Sequence, residues 1–215
     1  MIITVASYKG GVGKTTTAVH LAAYLQSLGP ALLLDGDQTR NATTWSERGK
    51  GFPFRVAPID QAAKLARNYQ HIVIDTGQRP SADDLKAAAE GCDLLVVPTL
   101  PDLGGVATDG LAQTVQALQS VGAAFRVLLT SVPPDAAKEA ADLRRQLAEF
   151  NAAVFDGEIP RLKAFKKADG AGCTVLGVKD REAIRAWASY VEIGRELEGF
   201  QMALDEAFRL SAVRA

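Results

Sequence analysis

Three glycines and two lysines within eight residues limit what this chain can fold into more than any other stretch of it. The run Lys9-Gly10-Gly11-Val12-Gly13-Lys14-Thr15-Thr16 follows the apolar segment Ile2-Ile3-Thr4-Val5-Ala6, which reads as a buried strand. It precedes Ala18, Leu21, Ala22, Leu25 and Leu28, which recur at helical spacing until Gly29-Pro30 stops the helix. A strand, a glycine turn and a helix N-terminus in succession aim several backbone N–H groups at one point and so make an anion site. Gly10, Gly11 and Gly13 let the backbone curl, because no Cβ restricts them. The run fits the phosphate-loop pattern G-x-x-x-x-G-K-[ST] except in its first slot, where Tyr8 or Lys9 stands in place of glycine. In such a loop Lys14 reaches the β- and γ-phosphates and Thr15 offers its hydroxyl to Mg²⁺.

The segments that follow alternate between strand and helix. Ala31-Leu32-Leu33-Leu34 is a short apolar run ending in Asp35-Gly36-Asp37, and Ile72-Val73-Ile74 ends in Asp75. Each reads as a parallel strand that delivers carboxylates at its C-terminal end, where open α/β sheets bind their ligands. The second, three apolar residues and the terminal acid Asp75, matches the Walker B description, in which the acid holds the Mg²⁺ shell. Further strands are expected at Phe54–Ala57, Asp93–Pro98 and Phe125–Thr130, with a short one at Ala153–Phe155. Helices are expected at Asn41–Arg48, Ile59–Asn68 and Ser81–Glu90, where Ser81 is the N-cap and Asp83 and Asp84 favour the dipole. Two more are outlined by Leu103, Val106, Leu111, Val115 and Leu118, and by Ala140, Leu143, Leu147 and Phe150. A last helical region, about 180–210, carries Ile184, Trp187, Val191, Leu197, Phe200, Leu204 and Phe208 as its expected buried stripe, with Gly194 and Gly199 as breaks. The pattern predicts an α/β fold with a mainly parallel sheet covered by helices on both faces, of the P-loop NTPase type. At 215 residues and 47% hydrophobic, a single domain spanning 1–215 is expected, the C-terminal helical region packed on it.

The residues quoted so far resemble one family. Lys9 to Thr16, with a lysine at its first position as well as in the usual phosphate position, resembles the deviant Walker A loop of ParA/MinD-type ATPases. Asp35-Gly36-Asp37 with Asn41-Ala42-Thr43 is similar to their second acidic motif and Asp75 to their Walker B acid. Pro98-Thr99-Leu100-Pro101-Asp102-Leu103 resembles the loop after the next strand, and Ile159-Pro160-Arg161 the late nucleotide-adjacent turn of the ParA branch. The resemblance covers residues 1 to about 195. It implies ATP or ADP with Mg²⁺ held by Gly10, Gly11, Val12, Gly13, Lys14, Thr15, Thr16, Pro160 and Arg161. It also implies a metal shell of Thr15, Asp35 and Asp75, and Asp37 positioning the attacking water. Lys9 resembles the signature lysine that crosses a nucleotide-sandwich dimer to the partner's ATP, much as an arginine finger does. Two segments depart from the family: Gln38-Thr39-Arg40 replaces the usual proline and glutamine, and Thr76-Gly77-Gln78 stands where a Pro-Pro pair is common. Both lie where the γ-phosphate is expected, so hydrolysis rate and switching geometry are the properties they touch.

Charge and composition sort the functions open to such a fold. Lys and Arg number 24 against 25 Asp and Glu, so no whole-molecule field holds the protein on nucleic acid or an acidic membrane. Cys92 and Cys173 lack the spacing of an iron–sulfur or zinc site, which points to a reducing, cytoplasmic protein. No signal peptide, N-terminal helix-turn-helix domain or basic amphipathic C-terminal membrane helix is expected. Between Arg161 and Arg185, however, Arg161, Lys163, Lys166, Lys167, Lys179, Arg181 and Arg185 face Asp169, Asp180 and Glu182, a local charge of +4. Doubled by dimerisation, that patch could hold phosphates without reading sequence. The resemblance thus implies a partition ATPase: an ATP-dependent homodimer on nonspecific double-stranded DNA at the nucleoid, released when a ParB-like adaptor stimulates slow hydrolysis. A protein cargo such as a microcompartment, and a MinD-like membrane cycle, are the alternatives.

Overall fold

The computed structural model describes residues 1–77, 80–101 and 109–213. In chain order these form β1 (Ile2–Val5), α1 (Lys14–Gln26), β2 (Ala31–Gly36), α2 (Asn41–Glu47), β3 (Arg55–Pro58), α3 (Ala62–Leu65) and β4 (His71–Thr76). There follow α4 (Ala82–Glu90), β5 (Leu94–Thr99), α5 (Asp109–Ser120), β6 (Phe125–Leu129), α6 (Ala137–Glu149), α7 (Lys163–Gly170) and α8 (Arg181–Val213). Short 3₁₀ turns flank α3, so the expected Ile59–Asn68 helix is broken into three pieces.

The strands lie parallel in one six-stranded sheet ordered β3-β2-β4-β1-β5-β6. β1 is therefore central, with β4 on one side and β5 on the other; the connection leaving β1 runs toward β2 and that leaving β5 runs the opposite way to β6, so the connections reverse direction between β1 and β5. Such a reversal opens a crevice at the carboxyl ends of the strands. The register sets Val5 opposite Asp75, and Asp75 opposite Asp35, so the ends of β1, β4 and β2 share one edge.

Successive strand residues point to opposite faces, and both faces are covered. Ile3, Val5, Leu33, Val73, Val96 and Leu128 pack with residues of α1, α2, α7 and α8. Ala6, Leu95, Val97, Val127 and Leu129 pack with residues of α4, α5 and α6, and Leu32, Leu34 and Ile72 with Leu65 of α3. Ser81 caps α4 as expected and forms a capping box: its hydroxyl accepts from the Asp84 N–H, and the Asp84 carboxylate accepts from the Ser81 N–H. Ala153–Phe155 makes one bridge to Val127 rather than a strand, and Phe150 ends α6 exposed instead of lining it. Leu111, Val115 and Leu118 are buried on α5, whereas Leu103 and Val106 lie outside the described residues.

The C-terminal helix differs most from its sequence pattern. It runs unbroken through Gly194 and Gly199, and its buried stripe is Ala183, Ala186, Tyr190, Ile193 and Leu197. Ile184 is 73% exposed and Leu204 is exposed, while Trp187, Val191 and Phe200 are only half-buried flanks. The Phe208 side chain lies outside what is described. The cause is the closeness of α8 to α1: at Gly194 the helices approach too closely for a side chain, while Tyr190, Ile193 and Leu197 fill the buried face around it and Trp187, Val191 and Phe200 fall to its flanks. At Gly194 an added Cβ would stand 2.3 Å from the Tyr24 ring, which is itself tethered by its hydroxyl to Glu198. Gly194→Ala is expected to lower the stability of the folded protein by about 1–3 kcal/mol, as overpacking does, read as a fall in thermal or denaturant midpoint; an unchanged midpoint would mean that α8 can slide away at no cost.

Candidate functional site

Gly11 and Gly13 adopt φ of +74° and +84°, the left-handed region that L side chains resist, and this turns the chain from the end of β1 into α1. Gly13 is the N-cap of α1, and no side chain there fills the space ahead of the first N–H groups of the helix. Two contacts anchor the loop from behind. The Thr130 hydroxyl, at the end of β6, lies 2.8 Å from the Val12 carbonyl. On the other flank the Tyr8 N–H donates to Thr114 of α5 at 3.3 Å. Thr130 carries no motif of its own: only the fold reveals that a strand-end threonine holds the loop.

Lys14 is buried, and its ammonium points back at the Lys9 carbonyl, 3.5 Å away. Burial holds its pKa below the ordinary lysine value, while the charges of Asp75 and Asp37 act to raise it. Lys9 is half-buried, with Gly110 of α5 against its backbone.

The three strand-end acids are not equivalent. Asp75 is fully buried, and neither of its carboxylate oxygens has a hydrogen-bond partner. Burial pushes its carboxyl up to about 7, with Thr15 opposing the shift and Asp35 and Asp37 reinforcing it. An orphaned buried carboxylate facing a threonine hydroxyl suits a small hard cation, which takes oxygen ligands. Asp35, equally buried, is instead fully employed. One of its oxygens accepts from the Thr43 N–H at 2.9 Å and from the Thr43 hydroxyl at 2.6 Å; the other accepts from the Asp37 N–H at 3.1 Å. Asp37 accepts from the Thr39 N–H at 3.0 Å and from the Asn41 amide at 2.9 Å, which organises the unusual Gln38-Thr39-Arg40 turn around it. Arg40, at φ 52°, closes this turn and donates to the Asp35 carbonyl. Among the described residues no cluster of three or more His, Cys, Asp or Glu could hold a metal by itself, so phosphate oxygens and water would complete the shell, as is usual for Mg²⁺.

Two hollows open on the described surface, one beside the acid turn and one beside the late turn. A cavity of about 600 Å³ is lined by Asp37, Gln38, Thr39, Thr76, Gly77 and Leu85, among others. A smaller one of about 130 Å³ is lined by Val132, Pro133, Pro134, Pro160, Arg161 and Arg185. The Arg161 N–H donates to the Val132 carbonyl at 2.8 Å, so the late turn pairs with the extension of β6 beside the loop. Pro160 and Arg161 thus share one hollow, and Arg185, read from sequence as part of a basic patch, is brought to it by α8. The other basic residues divide. Lys163, Lys166, Lys179 and Arg181 are exposed, whereas Lys167 pairs with Asp180 at 2.5 Å and Asp169 with Arg48 at 2.5 Å.

Behind the loop His20 is buried in α1 among the rings of Trp45, Phe165 and Tyr190. Its Nδ1 lies 2.7 Å from the Thr16 carbonyl and its Nε2 is 3.2 Å from the Val175 N–H. A carbonyl requires a donor and an N–H requires an acceptor, so the ring is neutral with its proton on Nδ1. It clamps the first turn of the loop helix to the segment after α7.

A glycine loop at the end of the central strand of a parallel sheet, with an open acid on the adjoining strand, defines the P-loop NTPase fold in its MinD and ParA form. Residues 3–175 match the CobQ/CobB/MinD/ParA nucleotide binding domain, and the chain belongs to that family of ATPases. It is 35% identical over 204 residues to the Maintenance of carboxysome distribution protein A of Gloeobacter kilaueensis, covering 92% of this chain and 94% of that one. The Chromosome-partitioning ATPase Soj of Thermus thermophilus is 34% identical over 140 residues, 59% of this chain and 56% of Soj. The fold matches that of the Aquifex aeolicus MinC:MinD cell division complex with a TM-score of 0.71 at 18% identity, covering 92% and 95% of the two chains. Among the described residues no helix is long and apolar enough to cross a membrane.

Burial depresses the His20 pKa to about 4. Protons therefore bind the unfolded chain first: this ring contributes nothing against folding above pH 6.5, and its stability is lost as pH falls from there toward 4. Acidification from pH 7 to 5 is expected to cost about 2 kcal/mol through His20, and His20→Gln should remove that contribution from the stability–pH curve, leaving the same-signed slope of His71, whose pKa burial also lowers, and the opposite slope of Asp75, whose raised carboxyl favours the folded state as pH falls. An unchanged slope in the variant would place the acid sensitivity elsewhere.

Proposed function

We propose that this protein is a ParA-type positioning ATPase that uses DNA as its matrix and is switched by ATP-dependent dimerisation. The observation that carries the reading is Asp75, buried without a partner beside Thr15 at the mouth of a loop that holds two lysines. In this reading Mg²⁺ with ATP supplies the charge that the Asp75 carboxylate and the Lys14 ammonium need to settle, and the phosphates lie on the N–H groups that follow Gly13. The base sits toward Pro160 and Arg161. Thr15 and Asp75 hold the metal shell, with Asp35 joining it, and Asp37, fixed by Thr39 and Asn41, orients the attacking water. Lys9 reaches the nucleotide of a second copy. The exposed Lys163, Lys166, Lys179 and Arg181, doubled in the dimer, bind DNA phosphates without reading sequence; Lys167 contributes less, because Asp180 already neutralises it. An adaptor protein stimulates a slow hydrolysis and ends the cycle, and the protein is cytoplasmic and nucleoid-associated.

For the cargo, the near full-length match to a carboxysome distribution protein favours a protein assembly. A DNA cargo is the second reading, supported by the shorter match to Soj. The two lysines separate the roles in the site. Lys14→Ala is expected to weaken nucleotide binding by about 10- to 100-fold, the loss of a buried charged hydrogen-bond donor, measured by calorimetry. Lys9→Ala should bind nucleotide as the parent does while losing dimerisation and at least about tenfold in stimulated hydrolysis. Equal loss of binding in both variants would remove the cross-subunit role of Lys9. The switch itself is read by DNA retardation, expected with a slowly hydrolysed ATP analogue, absent with ADP and falling steeply with salt; retardation that is the same with both nucleotides would overturn it.

A further inference from the structure

Helix α2 is tied at one end to the acid loop and along its length to the basic helix. At its start Arg40, the N-cap residue, supplies no capping side chain. The Thr43 N–H is satisfied from outside the helix, by Asp35, which also takes the Thr43 hydroxyl. A carboxylate from the end of β2 therefore does the work of a local cap. Further along, the Trp45 indole N–H donates to the carbonyls of Ala168 and Cys173, at 3.2 and 3.0 Å, at the C-terminal end of α7 and just beyond it. Arg48 pairs with Asp169. Past the end of α2 the backbone of Gly49 lies against that of Gly172 so closely that a Cβ on either residue would meet the other segment at 2.2 Å. α2 and the end of α7 thus meet through hydrogen bonds, an ion pair and bare backbone, with Trp45 buried at the centre.

We infer that Trp45 is a positioning residue that makes the placement of the basic helix α7 depend on which partners Asp35 holds. Asp35 has two uses that compete. In this structure three of its about four acceptor sites are engaged by Thr43 and Asp37; as a member of the magnesium shell beside Asp75, its register neighbour, it would turn toward the cation and loosen that engagement. α2 then loses the group that fixes its first turn and shifts. Because the Trp45 indole hydrogen-bonds the end of α7, the shift is passed to the helix that carries Lys163 and Lys166. Side chains that report on bound Mg²⁺–nucleotide and side chains that face DNA are thereby joined without either touching the other's ligand. The DNA end of this linkage rests on the function proposed above; the step from Asp35 to α7 does not.

The chain holds two tryptophans, so Trp187→Phe leaves Trp45 as the sole reporter. In that protein, saturated with a slowly hydrolysed ATP analogue, tryptophan emission is expected to shift when Mg²⁺ is present and to return when EDTA removes it. Asp35→Asn, which keeps an acceptor for Thr43, should show no Mg²⁺-dependent shift. Trp45→Phe keeps the ring and deletes the donor: it should bind nucleotide as the parent does, while the ratio of DNA affinities with and without Mg²⁺–nucleotide falls by about tenfold, a typical coupling. Emission that is the same with Mg²⁺ and with EDTA at saturating nucleotide overturns the inference, as does a Trp45→Phe protein that keeps the parent's ratio. If the parent binds no DNA in any nucleotide state, the proposed function fails, and the emission of the Trp187→Phe protein still decides the linkage; it also decides if Trp45→Phe does not fold.

Discussion

A helix N-terminus aimed at open space has N–H groups with no acceptor, and everything in this fold serves to hold one such terminus where an anion can supply it. The sheet fixes the point by ending β1 between β4 and β5. Gly11 and Gly13 turn the chain there in a conformation other residues resist, and Thr130 holds the Val12 carbonyl from the far side of the loop. Polar groups left open at that point are costly: Lys14 is buried with its ammonium on a single backbone carbonyl, and Asp75 is buried with neither oxygen satisfied. The resting site is thus electrostatically incomplete, and a polyphosphate with its cation is the chemistry that completes it. Binding strength and sensitivity to ligand come from the same unsatisfied groups.

The face of the sheet that carries α1 also carries α2, α7 and α8, so the loop helix and the basic helix share a core. His20 joins the first turn of α1 to Val175, Tyr190 stacks on its ring, and Gly194 brings α8 onto Tyr24. These contacts are short and directional, and several replace a hydrophobic contact by a hydrogen bond inside a dry core. Such groups transmit displacement better than aliphatic packing, because a hydrogen bond lost in the interior is not replaced by water. The loop helix and the helices α7 and α8 are therefore close in the fold although far apart in sequence.

Much of the site was legible in the chain because its chemistry is local. The loop, Lys14 and Thr15 lie within a few residues, and each acid announces itself at the end of an apolar run. The Ser81 cap was legible for the same reason. What failed was whatever depends on neighbours from distant parts of the chain. Ile184 and Leu204 fit a helical stripe by spacing, yet the buried face runs through Ala183, Ala186, Tyr190, Ile193 and Leu197, because the approach of α8 to α1 at Gly194 fixes which face turns inward and periodicity alone does not. Arg185 counted as surface charge until α8 placed it beside Pro160 and Arg161. Lys167 met Asp180 inside the patch, which occupies one lysine but leaves the net +4 as it was, and Arg48, outside the patch, met Asp169.

By itself the sequence determined that a strand, a glycine loop and a helix make a phosphate site, because those backbone conformations and that lysine act over a handful of residues. It also determined that acids stand at the ends of two further strands. Only the tertiary structure decided that β4 lies between β2 and β1, which makes Asp35 and Asp75 register neighbours. Only it decided that one of them is open while the other caps a helix. The reason is physical: a carboxylate's role follows from which donors its surroundings supply, and here Thr43 and the Asp37 N–H engage Asp35 while neither oxygen of Asp75 has a hydrogen-bond partner.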